Sequence, residues 1–353
     1  MKKIVLALLA LLLLLAGCAS NNDKEDEAEP EILETTVIRL ALNDSGHILN
    51  FIAENQGYLE EEGITVEYVY VSTDAEVFEG LRNGTIDIAS NSGTNLPLQE
   101  LSSGTNLTIF GGYLLTGCMP VFARVETEWN GIDDLIGKTV AWEPNLYAIT
   151  GPLLDKGYDP LNQINWYQPE DQNDRITAVK NGEADFGLVG TALNYKVLQD
   201  PELKIITYAA DILPDYSCCR AEALTSWVNE HPNTLKALLR AWIRAMEYYN
   251  DHHDEVVRFT SRKIDVDEAQ VRAYLDNPRF NLNPDPMKKS VKRAWDYMDR
   301  LGLLDDVARQ IDIEYHINVD LYKAALDECT ARYGKDNPKF YEKLQAQYAR
   351  NNR

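Results

Sequence analysis

Short apolar runs alternate with segments of helical spacing through the first two thirds of the chain. Residues 36–42 (Thr-Val-Ile-Arg-Leu-Ala-Leu) form an apolar run suited to a buried strand. Asn43, Asp44, Ser45 and Gly46 supply loop chemistry. From His47 to Glu61 the apolar positions Ile48, Phe51, Ile52 and Leu59 follow a helical period, and Gly63 stops it. Residues 64–71 are β-branched and aromatic, a second strand. Ser72, Thr73 and Asp74 offer caps for a helix through Leu81 that ends near Gly84. Residues 85–89 and 107–114 read as a third and a fourth strand. A second set follows Arg124, with strands at 138–142, 164–168, 184–189 and 204–209 and helices at 146–156 and 174–180. Strand–helix alternation predicts right-handed βαβ units and a mostly parallel sheet.

Residues 81–89 (Leu-Arg-Asn-Gly-Thr-Ile-Asp-Ile-Ala) are echoed by residues 179–187 (Val-Lys-Asn-Gly-Glu-Ala-Asp-Phe-Gly). Each predicts a helix end, a glycine cap and a strand carrying an internal acid, so two lobes of similar build are expected. The last third is helical. Pro232 suits a first helical position, and Leu235, Leu238, Leu239, Trp242, Ile243, Met246 and Tyr249 share one face behind it. Residues 291–301 and 321–333 are further helices.

The N-terminus changes the picture. Met1-Lys2-Lys3 precedes an apolar run from Ile4 to Ala16, too short for a stable span but fit for a secretion signal. Leu15-Ala16-Gly17-Cys18 resembles the bacterial lipobox, which implies cleavage before Cys18 and a lipid on its thiol. Residues 18–35 are acidic and nearly devoid of apolar side chains, so a disordered tether is expected there. A net charge of -22 makes nucleic acid a poor partner. Cys118, Cys218, Cys219 and Cys329 are too few for a disulfide framework in a body of this length.

Four segments, in this order, resemble the sulfonate, taurine and nitrate type of ABC-transporter binding protein: residues 51–66, 81–89, 132–141 and 179–188. Thr116-Gly117-Cys118 and Cys218-Cys219 are similar to a branch of that family. The resemblance implies an α/β, two-lobed type II periplasmic-binding-protein fold with a hinge of two crossing segments and a helical C-terminal extension. The crossings would lie near 118–125 and 210–220. Lobe 1 would be 36–117 plus 221–353, and lobe 2, with both crossings, 118–220. It implies a monomeric solute-binding protein that closes on a small-molecule ligand and serves an ABC permease with its ATPase, anchored to the outer face of the membrane through Cys18.

Ligands of such sheets sit beyond the carboxyl ends of the strands. That nominates Asn43, Ser45, His47, Ser72, Thr73, Ser90, Asn91, Ser92, Tyr113 and Thr116 from the first lobe. Trp142, Asn145, Tyr147 and Thr191 follow from the second. Apart from Arg220 these loops hold little positive charge, and they carry Asp44, Asp74, Glu143 and Asp171 beside many rings. Acids with rings suit a flat heterocycle or a cation better than a sulfonate or nitrate. Cys118, Cys218 and Cys219 would meet at the hinge as thiols or as a disulfide. Asp251-His252-His253-Asp254 reads as a solvated helix end, not a metal site, because adjacent helical positions diverge. No cofactor is expected. Two alternatives stay open: an enzyme resembling the pyrimidine synthases of thiamine biosynthesis, and a sensory lipoprotein using the same clamp.

Overall fold

The computed structural model describes residues 31–44, 46–116, 119–169 and 171–353. The signal segment, Cys18, most of the expected tether, Ser45 and Cys118 fall outside the described residues. Leu33–Arg353 pack as one compact unit.

Strands β1 (Val37–Leu42) and β2 (Thr65–Tyr70) pair in parallel. The helices α1 (Ile48–Asn55), α2 (Tyr58–Glu61), α3 (Asp74–Asn83) and α4 (Asn95–Ser102) complete the first stretch, and β3 runs from Leu107 to Thr116. The single helix expected over 47–61 is therefore broken. Gly57 adopts φ 74, a left-handed conformation that ends one helix and starts the next. The expected strand at 85–89 is reduced to bridges. Ile88 bridges Leu40 and Ala89 bridges Glu222, so this short segment stitches the β1–β2 pair to the strands beyond.

The chain then leaves for a second sheet of β4 (Pro120–Arg124), β5 (Thr139–Ala141), β6 (Asn165–Tyr167), β7 (Phe186–Leu188) and β8 (Leu203–Tyr208), ordered β6-β5-β7-β4-β8. Helices α5 (Tyr147–Asp155), α6 (Pro160–Gln163), α7 (Gln172–Asn181), α8 (Asn194–Gln199) and α9 (Ala209–Ile212) lie among them. It returns on β9 (Cys219–Leu224), which pairs with β3 in a third sheet, β10-β3-β9. The expectation of a mostly parallel sheet is corrected here. β5 pairs in parallel with β6 and β7, but β4 is antiparallel to β7 and β8, and β3 to β9 and β10. The first anticipated crossing, 118–125, holds strand β4, whereas the second, 210–220, holds the end of α9 and a loop and becomes strand only at Cys219, where β9 begins.

The echo is structural. Gly84 and Gly182 cap α3 and α7 at φ 75 and φ 78. Asp87 Oδ2 then accepts the Arg39 amide at 2.8 Å, and Asp185 Oδ2 accepts the Thr139 amide at 2.9 Å. In return the Asp87 and Asp185 amides donate to the carbonyls of Arg39 and Thr139 at 2.8 and 2.9 Å. Each acid thus locks a helix and the segment after it onto a neighbouring strand, β1 for Asp87 and β5 for Asp185.

The C-terminal third holds α10 (Thr225–Glu230), α11 (Pro232–Asp251), α12 (His253–Ile264), α13 (Glu268–Leu275), β10 (Asn281–Leu282), α14 (Lys288–Arg300), α15 (Asp320–Tyr333) and α16 (Pro338–Asn352). The apolar face of α11 is buried as its spacing predicts. Order begins earlier than expected: Glu34 accepts the backbone amides of Asn233 and Thr234 at 3.1 and 2.9 Å, capping α11 from a distance.

Gly112 sits where β3 meets β9. A Cβ there would collide with the Arg220 guanidinium and reach the Asp285 carbonyl at 2.7 Å. At Gly111 it would meet the methyl end of the Leu239 side chain at 2.9 Å and the Pro284 carbonyl only at 3.3 Å. Gly112→Ala is expected to cost about 2–3 kcal/mol and Gly111→Ala less; urea unfolding that ranks them the other way would contradict this packing.

Candidate ligand-binding site

The carboxyl ends of the parallel strands supply two groups of loops, one from each sheet. β1 hands over at Asn43, and the bridged segment at Ala89 hands over to Ser90, Asn91 and Ser92. β5 hands over to Trp142 and Glu143, and β7 to Gly190 and Thr191.

On the first side, Asn91 Nδ2 donates to Asn43 Oδ1 at 2.8 Å and to the Gly46 carbonyl at 2.7 Å. Ser92 Oγ donates to Asp74 Oδ1 at 2.7 Å. Asn43, Asn91 and Ser92 line a cavity of about 10 Å³ with Ala41, Val71, Val77 and Ala89. On the second side, the Arg175 guanidinium lies 4.1 Å above the Trp142 ring and 3.1 Å from Glu143. Arg175 is buried, on the inner face of α7. Gln172, at the start of that helix, accepts the Gly190 amide at 2.8 Å.

The two sides feel one another. Burial pushes the Asp74 carboxyl up, its bond from Ser92 opposes this, and the Glu143 charge raises it further. Asn145 Nδ2 reaches Gln99 Oε1 on α4 at 3.3 Å. Beneath the loops lies Glu222 on β9, fully buried, with no hydrogen-bond partner at either carboxylate oxygen. Burial drives its pKa well above the carboxylate range, Arg220 opposes this, and Asp74 adds to it.

The remaining nominated residues are placed differently. His47 is fully buried, stacked on Tyr113 and Trp242 with centroids 4.2 and 4.9 Å away. Its Nδ1 accepts the Asn50 amide at 3.1 Å, so it caps α1. Tyr113 accepts the Ile48 amide at 3.1 Å. Thr73 caps α3 in a reciprocal box with Glu76, and Ser72 is exposed beside it. Thr116 donates to the Arg279 carbonyl at 2.8 Å, and Tyr147 to the Ser217 carbonyl at 2.7 Å. Thr191 opens a short 3-10 turn. Ser90 is buried, with no partner for its hydroxyl. Arg220 is interior, donating to the carbonyls of Leu114 and Asp285. The Cys218 and Cys219 sulfurs lie 3.6 Å apart, buried. His253 pairs with Asp276 at 2.7 Å and His252 stacks on Tyr248.

Sequence reasoning missed Arg175 and Glu222. Arg175 lies in a polar helix whose inner face only tertiary packing reveals. For Glu222 the available signal was an acid two residues from an arginine within the apolar run 219–224. A larger hollow, about 580 Å³, is lined by Glu126–Asn130 and Lys204–Ile206. It sits past the end of β4, hence at the amino ends of β5 and β7, the wrong edge of the sheet for these loops.

A profile of the family described as NMT1/THI5 like matches residues 44–256. A candidate aliphatic sulfonates-binding protein of Bacillus subtilis (strain 168) is 25% identical over 342 residues, 93% of this chain and 98% of that protein. A formylaminopyrimidine-binding protein of Halalkalibacterium halodurans is 24% identical over 262 residues, 72% of this chain and 76% of that protein. The fold matches the periplasmic aliphatic sulphonate binding protein SsuA of Escherichia coli with a TM-score of 0.68 at 16% identity, covering 82% of this chain and 99% of that one.

Burial pushes the His47 imidazole down from 6.5 to about 3. Between those values the unfolded chain binds a proton that the folded chain refuses, so stability falls as pH falls through that window, by about 1.4 kcal/mol per pH unit. His47→Asn keeps an acceptor for the Asn50 amide and loses this slope. The stability gap between wild type and variant is expected to narrow from about pH 6 to about pH 4; parallel pH profiles in urea unfolding would show that His47 titrates normally.

Proposed function

The chain belongs to the NMT1/THI5-like family, and on that premise we propose that it is the extracytoplasmic solute-binding protein of an ABC importer. The observation that carries this is that two groups of polar residues, Asn43, Asp74, Asn91 and Ser92 on one side and Trp142, Glu143 and Arg175 on the other, belong to two different sheets whose loops are joined where Asn145 donates to Gln99 at 3.3 Å. In this reading lobe 1 is 36–117 plus 221–353 and lobe 2 is 118–220. The crossings about which they hinge are 118–125, which holds β4, and 210–220, which leads into β9. A ligand that contacts both lobes favours the closed state, and a permease reads that closed shape.

The ligand is a small organic solute, as in the relatives named for aliphatic sulfonates and formylaminopyrimidine. The protein acts as a monomer and is held at the membrane by lipid on Cys18, with the following acidic residues as its leash. Cys18→Ser is expected to move it from the membrane fraction to the soluble one; unchanged fractionation would remove the lipid anchor from this account. A bound solute at 100 times its Kd stabilises the fold by about 2.7 kcal/mol. Purified protein screened by thermal shift is therefore expected to show a saturable rise in Tm with no change in the solute. Chemical turnover would favour the pyrimidine-synthase-like alternative. Capture without stimulation of the reconstituted importer's ATPase would favour the sensory one.

A further inference from the structure

We propose that the floor of this cleft receives an organic cation, whose ammonium, amidinium or guanidinium N–H groups bind the carboxyls of Asp74 and Glu222. This rests on the capture reading above and deepens it by fixing the charge of the ligand.

Glu222 is the first reason. A buried polar group without a partner costs free energy, and native interiors leave few of them. Glu222 has two such oxygens in a fully buried side chain. Arg220, two residues along the same strand, offsets its charge but makes no hydrogen bond to it, donating to the carbonyls of Leu114 and Asp285 with its Nε left over. Ser90 is the second. Its hydroxyl is buried and unpartnered, one residue beyond Ala89, whose backbone exchanges both hydrogen bonds with Glu222 at 3.0 and 2.8 Å. Unused acceptors therefore cluster beneath the loop 90–92, the loop that also holds Asp74 through Ser92.

Charge selects among ligands. Glu143 acts on Asp74 and Asp74 on Glu222, and Arg175 is already engaged with Glu143 and Trp142. A sulfonate or nitrate would have to approach the Asp74 carboxyl, held only by Ser92, and a Glu222 carboxyl that Arg220 of its own strand offsets without a hydrogen bond. The pairing of Arg175 with the Trp142 face and a carboxylate shows how this surface accommodates a planar cation.

The test compares a cation with its neutral isostere. Benzamidinium and benzamide are titrated by calorimetry into the full-length mature protein, with methanesulfonate and nitrate alongside. The wild type is expected to prefer benzamidinium over benzamide by at least roughly tenfold, the scale of a charge-assisted hydrogen bond. Glu222→Gln and Asp74→Asn are each expected to bring that ratio toward one. A variant that merely misfolds weakens both compounds alike, so the ratio separates recognition from stability. Equal binding of the two compounds by the wild type, or an unchanged ratio in both variants, overturns the proposal. Binding of methanesulfonate or nitrate in place of either benzene compound overturns it too, while leaving solute capture intact. Binding of none of the four, with no small molecule retained on purification, sinks both.

Discussion

Arg220 carries a positive charge into the pairing of β9 with β3, where the chain returns from the second sheet. Its guanidinium donates to the carbonyls of Leu114 and Asp285. Burial lowers its pKa, and Asp285 is the main charge opposing that shift. Asp285 is fastened in turn, accepting the Met287 amide at 2.7 Å and the Asn352 side-chain amide at 2.8 Å. The last helix of the chain is thereby tied to the crossing strand. Gly112 must lack a side chain for the guanidinium to fit. A buried charge held this way is costly to unpair, so the register of β9 is well defined. The loops that β9 supports, with Ser90–Ser92 bridged to it through Ala89 and Gly93, inherit that definition.

Much of this fold was legible in the chain. The helix end, glycine and acid of residues 81–89 and 179–187 announced paired units, and both acids turn out to hold strand amides. The caps at Thr73, Gly84 and Gly182 and the apolar face of α11 followed from local chemistry alone. What escaped was non-local. Periodicity marks a buried strand but not the direction of its neighbour, so the antiparallel roles of β4 and β9 were hidden. Gly57 looked compatible with a continuous helix until its backbone conformation was seen.

The site divides along the same line. Strand-end loops were identifiable because topology dictates where they gather: Asn43, Asn91 and Ser92 lie in a group with Asp74, and Trp142 in a separate group with Glu143 and Arg175. His47 and Tyr147 follow equally good strand ends, and Tyr113 and Thr116, expected beyond the fourth strand, lie within β3; yet Tyr113, Thr116 and Tyr147 spend their hydroxyls, and His47 its Nδ1, on backbone groups of the protein's own. Position in the chain cannot separate these classes, since a loop side chain that caps a helix and one that faces solute look alike in sequence. Arg175 and Glu222 show the converse: ionisable residues whose importance lies wholly in the neighbours that burial gives them.

Those neighbours also bear on how a clamp of this kind would work. Asp74 belongs to the first group of loops and Glu143 to the second, and the charge of Glu143 already raises the Asp74 pKa. Bringing like charges together is unfavourable, the more so as water leaves. An empty cleft would therefore resist closing, or close only after an acid takes up a proton. A ligand shifts such an equilibrium by no more than its differential affinity for the two states. A cation set between the acids supplies that difference directly, because it turns a repulsion present only on closure into an attraction present only on closure. A neutral solute would have to supply it through contact area alone.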